Sequence, residues 1–190
     1  MINRGSNLKV VSGKLAIAAL GLYYALFFLI YASPLGTFFL KKIPLDMVPD
    51  LMKSGYNSVD LSAFFDALST DGLSDYIRNL WTIDLLLPFL AFLSSVLLLC
   101  FCLQRIGISQ QWNILFLIVP LIILLCDYSE NSILTYAALT HPGTISGSLV
   151  YTSSLLTKVK WLGISAVLFL EIVLVSVFVV ILTVRKKRKS

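Results

Sequence analysis

The stretch that decides the fold carries no charge for twelve residues and then turns polar: Ile114-Leu-Phe-Leu-Ile-Val-Pro-Leu-Ile-Ile-Leu-Leu125, followed by Cys126-Asp-Tyr-Ser-Glu-Asn131. Asp127, Glu130 and Asn131 stand at positions i, i+3 and i+4, so a helix carries all three on one face. Two carboxyls and a carboxamide are costly on a membrane helix, and they usually face the bundle interior, a partner or a water-filled cavity. The pattern therefore predicts a membrane helix with an inward-facing polar cluster.

Composition makes a lipid bilayer the expected solvent. The chain has 190 residues, of which 58% are hydrophobic and 13% are charged. A soluble domain is about half apolar and about a quarter charged. We therefore expect an integral protein of a plasma or inner membrane.

The basic residues are concentrated at the C-terminus, where five of the fifteen follow one another: Arg185, Lys186, Lys187, Arg188 and Lys189. Such a run suits the anionic lipids of a cytoplasmic leaflet. No basic patch with interleaved aromatic residues occurs in the sequence, so nucleic acid is not an expected partner. The expected partners are membrane lipids, and the oligomeric state stays open.

The three cysteines, Cys100, Cys102 and Cys126, all lie in apolar segments, so no disulfide framework is expected. The first two form a Cys-x-Cys pair, whereas a quinone-linked disulfide oxidoreductase needs Cys-x-x-Cys. Tetraspanins and claudins need cysteines in their loops, and the loops here have none. No cofactor is expected.

Four apolar segments reach the length of about 20 residues that a spanning helix needs; they cover about 15–35, 80–103, 113–139 and 157–184. The first could also be a secretory signal peptide, because basic residues precede its apolar core. A retained helix is favoured, since the apolar run is long and aromatic and no small-x-small cleavage site ends it. The predicted fold class is all-α, a polytopic membrane protein with four transmembrane helices bundled in a single domain.

The only sizeable polar region, residues 38–79, is predicted to form a small helical extracytoplasmic cap. Apolar residues recur at helical spacing from Val59 to Leu68, with carboxylates on the other side. We expect Asp71-Gly72 to break this helix and Ser74 to cap a second one. A cap packed over the bundle is favoured over a catalytic ectodomain, because so short a segment without cysteines builds little core alone.

The distribution of basic residues predicts the orientation in the membrane. The N-terminal segment has three, the second connection has one and the C-terminal tail has five, whereas the first loop has more acidic than basic residues. The positive-inside rule then places both termini in the cytoplasm and the cap outside.

Asp84 opens the second span, and Pro88 follows it by four residues. Proline has no N–H, so the Asp84 carbonyl loses its helical donor and needs water or another helix to satisfy it. An equally weighted interpretation is that Asp84 is a first-turn carboxylate favoured by the helix dipole.

Lys160 and Glu171 lie eleven residues apart in the fourth span, almost three whole turns, and so share one stripe of the helix. Lys158 is about 200° away from Lys160, so only one of the two lysines can face the bundle. We take the stripe with the glutamate as the interior one, because a glutamate is costly against lipid. The predicted polar pocket consists of Asp84, Asp127, Glu130, Asn131 and Lys160, with Glu171 below it.

Three classes of function fit this pocket, and we rank them in this order. The first is a non-enzymatic membrane protein that binds or conducts a small polar or cationic species, protons included. The second is a structural or assembly subunit whose polar cluster fixes helix register or meets a partner helix. The third is a membrane-embedded lipid-modifying enzyme that uses the carboxyls as acid and base. No catalytic or metal-ligand set is assigned, because His141 with a loop serine, or with the carboxyls of the third span, is a weak signal.

Several short motifs carry a resemblance to a known family. They are Asp127-x-x-Glu130-Asn131 in the third of four spans, Lys160-Trp161 opening the fourth, and Gly72, Tyr76 and Asp84 before the second. On these residues the chain is similar to a family of uncharacterised four-span integral membrane proteins. The resemblance covers most of the chain and implies the architecture and the choice of polar residues, but no activity.

Overall fold

The structure is a computed structural model that describes residues 11–31, 43–108 and 110–187. These residues form helices, and no strand occurs among them. The helices are α1 (Gly13–Tyr31), α2 (Ser58–Ala67), α3 (Thr70–Leu80), α4 (Ile83–Ile106), α5 (Gln110–Thr140) and α6 (Gly147–Lys187). Two short 3₁₀ turns, Leu45–Met47 and Pro49–Leu51, lie between α1 and α2.

Four helical segments are long and apolar enough to cross a membrane, which indicates an integral membrane protein: Gly13–Ile30, Thr70–Ile106, Phe116–Thr140 and Gly147–Arg185. The expectation of an all-helical protein with long apolar helices is therefore confirmed. The last helix begins ten residues before the predicted start of the fourth span, at Gly147 instead of 157. Residues 32–35 of the predicted first span and 38–42 of the predicted cap lie outside the described residues.

The long helices pack as neighbours, α5 along α6, α4 against both, and α1 on α4. Gly163 permits a close approach of α6 to α5, because a Cβ atom there would lie 2.6 Å from Cγ1 of Ile123. An apolar cluster of Leu99, Cys102, Leu103 and Leu174 fills the space between α4 and α6.

The first described residue and the C-terminal part of α6 lie beside the C-terminal part of α4. The Val11 N–H donates to Oε1 of Gln104 at 2.9 Å, just before α1 begins. The ring of Phe178, near the end of α6, lies 5.3 Å from the ring of Phe101. The start of α1 and the last turns of α6 are therefore at the same end of the bundle.

The segment from Ile43 to Leu80 packs over the opposite end, where α5 runs into α6. Its buried aromatic residues, Tyr56, Phe64, Phe65 and Tyr76, share an apolar cluster with Leu134, Ala137, Ala138 and Val150. We call residues 43–80 the cap segment.

The expected break within the cap segment is wrong by a few residues. Helix α2 ends at Ala67, and Ser69 caps α3 by accepting the N–H of Gly72 on its hydroxyl oxygen at 3.1 Å. Asp71-Gly72 therefore lies in the first turn of α3, and Ser74 lies inside it. The serine side chain satisfies an N–H that the helix leaves free, and this favours a helix start there.

Gly55 gives a test of how the cap segment meets α6. Its φ is +82°, and a Cβ atom there would overlap Cε of Lys158 and Oγ of Ser154. We expect Gly55→Ala to lower the free energy of unfolding by more than the roughly 1–2 kcal/mol that a left-handed conformation alone costs. Gly107→Ala isolates that strain, since Gly107 has a φ of +88° with nothing within 4 Å.

The matched control is Gly21→Ala, at a helical position with nothing within 4 Å. This change should be neutral or stabilising, because alanine favours a helix more than glycine does. Thermal unfolding in detergent measures the stability of the three variants. Equal losses at Gly55 and Gly107 would contradict the close contact with α6.

Candidate functional site

Lys160 of α6 lies at the centre of a buried ionic cluster and is only 3% exposed. Its ammonium donates to Oε2 of Glu130 at 2.7 Å, lies 3.1 Å from Oδ1 of Asp127, and pairs with Oδ1 of Asp50. One lysine is therefore shared by three carboxylates, two from α5 and one from the 3₁₀ turn Pro49–Leu51. We call these four residues the Lys160 cluster.

Helical spacing explains why α5 and α6 meet through these side chains. Asp127 and Glu130 are three residues apart on α5, and Thr157 and Lys160 are three residues apart on α6, so each pair shares a face. The Thr157 hydroxyl donates to Oε1 of Glu130 at 2.5 Å. Both oxygens of this fully buried glutamate thus have a donor from α6.

Asp50 reaches the cluster from the cap segment and was not among the residues singled out by the sequence. The indole N–H of Trp161 donates to its backbone carbonyl at 3.1 Å, and the ammonium of Lys53 lies 4.5 Å from the centroid of the same indole. Lys160 and Trp161, adjacent on α6, therefore hold the side chain and the backbone of one cap residue. No local pattern could have revealed Asp50, because it lies 110 positions before Lys160.

Tyr56 adds a second connection between the cap segment and α6. Its hydroxyl donates to Oγ of Ser153 at 2.6 Å, and its N–H donates to Oγ of Ser154 at 2.9 Å. Burial raises the pKa of Tyr56 above its usual range, and the negative charge of Glu130 raises it further. The phenol therefore stays protonated and remains a hydrogen-bond donor.

Asn131 satisfies the carbonyl that Pro88 deprives of its donor. Its amide nitrogen donates to the Asp84 carbonyl at 3.3 Å and to the Leu80 carbonyl at 3.5 Å. The carboxylate of Asp84 accepts from Nδ2 of Asn79 at 3.0 Å and is not among the ion pairs of Lys160. Asp84 thus borders the cluster through its backbone, while its side chain bonds back to α3.

Glu171 is separate from the Lys160 cluster. It lies eleven residues beyond Lys160 on α6, or about 16 Å along the helix axis. It is 9% exposed, and its Oε1 atom is buried with no hydrogen-bond partner. The structure therefore brings Asp127, Glu130 and Lys160 together, adds Asn131 and the Asp84 backbone at the edge, and leaves Glu171 apart.

His141 does not approach the carboxylates of α5 that a metal site would need. Its Nε2 atom lies 3.1 Å from Oδ1 of Asp66, and its ring lies 5.5 Å from the ring of Phe65. This histidine belongs to the contact between α2 and the connection from α5 to α6.

The cluster is rich in acceptors and short of positive charge. One oxygen each from Asp50, Asp127 and Glu130 lies within 4.8 Å of the others, with Lys160 as the cation among them. Oδ2 of Asp127 and Oδ1 of Asn131 are buried without a hydrogen-bond partner. Such a site can take up protons or a cation that prefers oxygen ligands.

Comparison of the chain with protein-family models, curated protein sequences and solved structures finds no match. The similarity to a four-span family through Asp127-x-x-Glu130-Asn131 therefore stays an expectation.

Lys160 and Lys158 form a matched pair, since one is buried among carboxylates and the other is exposed two residues away. We expect Lys160→Met to lower the free energy of unfolding by roughly 3–5 kcal/mol, because it leaves buried carboxylates without their cation. Protonation of an orphaned carboxylate would reduce this loss. Lys158→Met should have little effect. Thermal unfolding of both variants in detergent makes the comparison, and equal losses would contradict the central place of Lys160.

Proposed function

We propose that this protein is a non-enzymatic integral membrane protein that binds a small cationic species, protons included, in the Lys160 cluster. The observation that carries the proposal is the sharing of one buried lysine by three carboxylates. Lys160 balances only one of the three negative charges. Two further positive charges are needed for neutrality.

Burial makes this imbalance expensive. Unpaired charges in an apolar interior cost several kcal/mol each, and proteins avoid the cost by protonation or by binding an ion. Glu130 is fully buried and Asp127 is nearly so. The cluster therefore has its most stable state when it holds two protons or a cation.

Binding is favoured over conduction because Glu171, the next acid along α6, is distant from the Lys160 cluster. Glu171 lies about 16 Å from Lys160 along α6. The Lys160 cluster instead borders the cap segment, since Asp50 comes from it.

A structural role is the second candidate, and one observation favours it. Lys160 and Trp161 both bind Asp50, so the same pair of residues that forms the site also attaches the cap segment to α6. An assembly subunit would need this attachment but no exchangeable ion.

We further propose a bundle of four transmembrane helices with both termini in the cytoplasm and the cap segment outside. The contacts of Val11 with Gln104 and of Phe178 with Phe101 support a common side for both termini. The positive-inside rule makes that side cytoplasmic. Arg185 and Lys187 at the end of α6 would then meet anionic lipid. The side chain of Lys186 and the residues Arg188 and Lys189 lie outside the part that the structure describes.

Single cysteines introduced in a cysteine-free background test this orientation. We expect Ser58→Cys in α2 and Thr144→Cys before α6 to react with a membrane-impermeant maleimide on sealed cells, because both positions lie at the cap end and are exposed. Lys187→Cys should react only after permeabilisation. Labelling of position 187 from outside would reverse the orientation.

Infrared spectroscopy of the protein in lipid at neutral pH tests the binding of positive charge. We expect a carbonyl band of a protonated carboxylic acid, either before or after a chelator removes bound divalent ions. Asp127→Asn should lose this band. Glu171→Gln and Asp66→Asn are the controls and should not remove this band. Lack of such a band both before and after chelation would mean that all three carboxylates stay charged without a bound cation, against the proposal.

A further inference from the structure

We propose that the end of the bundle opposite the cap segment binds the headgroup of a phospholipid with two phosphate groups, through Lys14, Arg105 and Arg185. We call these three residues the headgroup site. The site is separate from the Lys160 cluster, which lies about 38 Å away along α6. It rests on the proposed orientation only for the choice of leaflet, which is then the cytoplasmic one.

Three helices meet at the ring of Phe101 in α4. A Cβ atom on Gly13, the first residue of α1, would lie 2.9 Å from Cε2 of this ring, so α1 begins in contact with it. The ring of Phe178 in α6 lies 5.3 Å away in an edge-to-face arrangement. Side chains next to these contact points on α1, α4 and α6 are therefore neighbours at this end of the bundle.

Each of the three helices has one exposed basic residue beside this contact. Lys14 is the second residue of α1. Arg105 comes one turn after Phe101, and its guanidinium carbon lies 5.6 Å from the centroid of that ring. Arg185 comes seven residues after Phe178, which is about two turns along the same face of α6. Three positive charges from three helices thus lie around one end of the bundle.

No acidic residue is available nearby to balance these charges. The sequence has none in residues 1–45, 85–126 and 172–190, which include α1, nearly all of α4 and the end of α6. Glu171, the last acid on α6, lies about 21 Å before Arg185 along the helix. At the cap end, by contrast, Arg78 pairs with Asp75. Positive charges that lie close together repel one another, so an anion with more than one negative charge stabilises this end.

The surroundings of the headgroup site favour a lipid over a soluble anion. Exposed apolar side chains lie directly beside the basic ones, with Leu15 next to Lys14 and Val184 next to Arg185. A ligand that binds both kinds of side chain needs phosphates and acyl chains in one molecule. Basic groups between membrane helices on the cytoplasmic side are typical sites for lipids with several negative charges.

Native mass spectrometry of the purified protein in detergent measures how many lipid molecules bind and how tightly. The probe is cardiolipin, which has two phosphates, and phosphatidylglycerol with one phosphate is the comparison. We expect cardiolipin to bind at least about fivefold more tightly, because each added contact between a phosphate and a basic side chain is worth about that factor.

Variants of the basic residues locate the lipid. Arg105→Gln and Lys14→Gln should each weaken cardiolipin binding by about fivefold. Arg105→Lys should keep most of the binding, because the positive charge stays. Arg78→Gln is the matched control, since it removes an exposed arginine from the cap end, and it should leave binding unchanged.

Pyrophosphate tests whether the acyl chains matter, because it has two phosphates and no apolar part. A tenfold excess of pyrophosphate over cardiolipin should not displace the lipid. Displacement at equal concentrations would mean that the site takes a soluble phosphate, against the proposal.

Two other results would overturn the inference. One is equal affinity of the native protein for cardiolipin and for phosphatidylcholine, which has no net charge. The other is an equal loss of cardiolipin binding in Arg78→Gln and Arg105→Gln. Asp127→Asn should bind cardiolipin as the native protein does, so a failure of the headgroup site and a failure of the Lys160 cluster are seen in separate measurements.

Discussion

The buried ammonium of Lys160 is the interaction on which the arrangement of this protein depends. Three carboxylates from two separate segments converge on it, and the two from α5 are buried, where a charge without a partner is costly. Lys160 therefore fixes the rotation of α6 against α5 and the position of the cap segment above them. Both the stability of the bundle and the charge of the site therefore depend on the Lys160 ammonium.

Buried backbone groups, like the charged side chains, need a partner from another segment. Pro88 removes the donor of the Asp84 carbonyl, and Asn131 replaces it from the neighbouring helix. Tyr56 and Thr157 donate hydroxyl protons to α6 and to Glu130 respectively. Polar contacts thus link the cap segment to α6, α6 to α5, and α5 to the start of α4.

The proposed function rests on the groups that lack a matching partner. Acceptors exceed donors around Asp127 and Asn131, and negative charge exceeds positive charge around Lys160. Buried charges without a partner are destabilising, so this imbalance needs a compensating positive charge. The surplus of negative charge lies next to the cap segment, where the side chain of Asp50 is partly exposed.

The sequence by itself determined the local features. The apolar runs indicated long helices, and the spacing of Asp127, Glu130 and Asn131 placed them on one face, because a helical period of 3.6 residues is a property of neighbouring positions. The same period separated Lys160 from Lys158, and it could also have pointed to Thr157, one turn before Lys160. Only the tertiary structure decided which groups these faces meet. Asp50 joins Lys160 across 110 positions, Asn131 finds the carbonyl freed by Pro88, and Glu171 stays outside the cluster. These pairings depend on how the helices rotate and how the cap segment folds back, and packing between distant segments sets both.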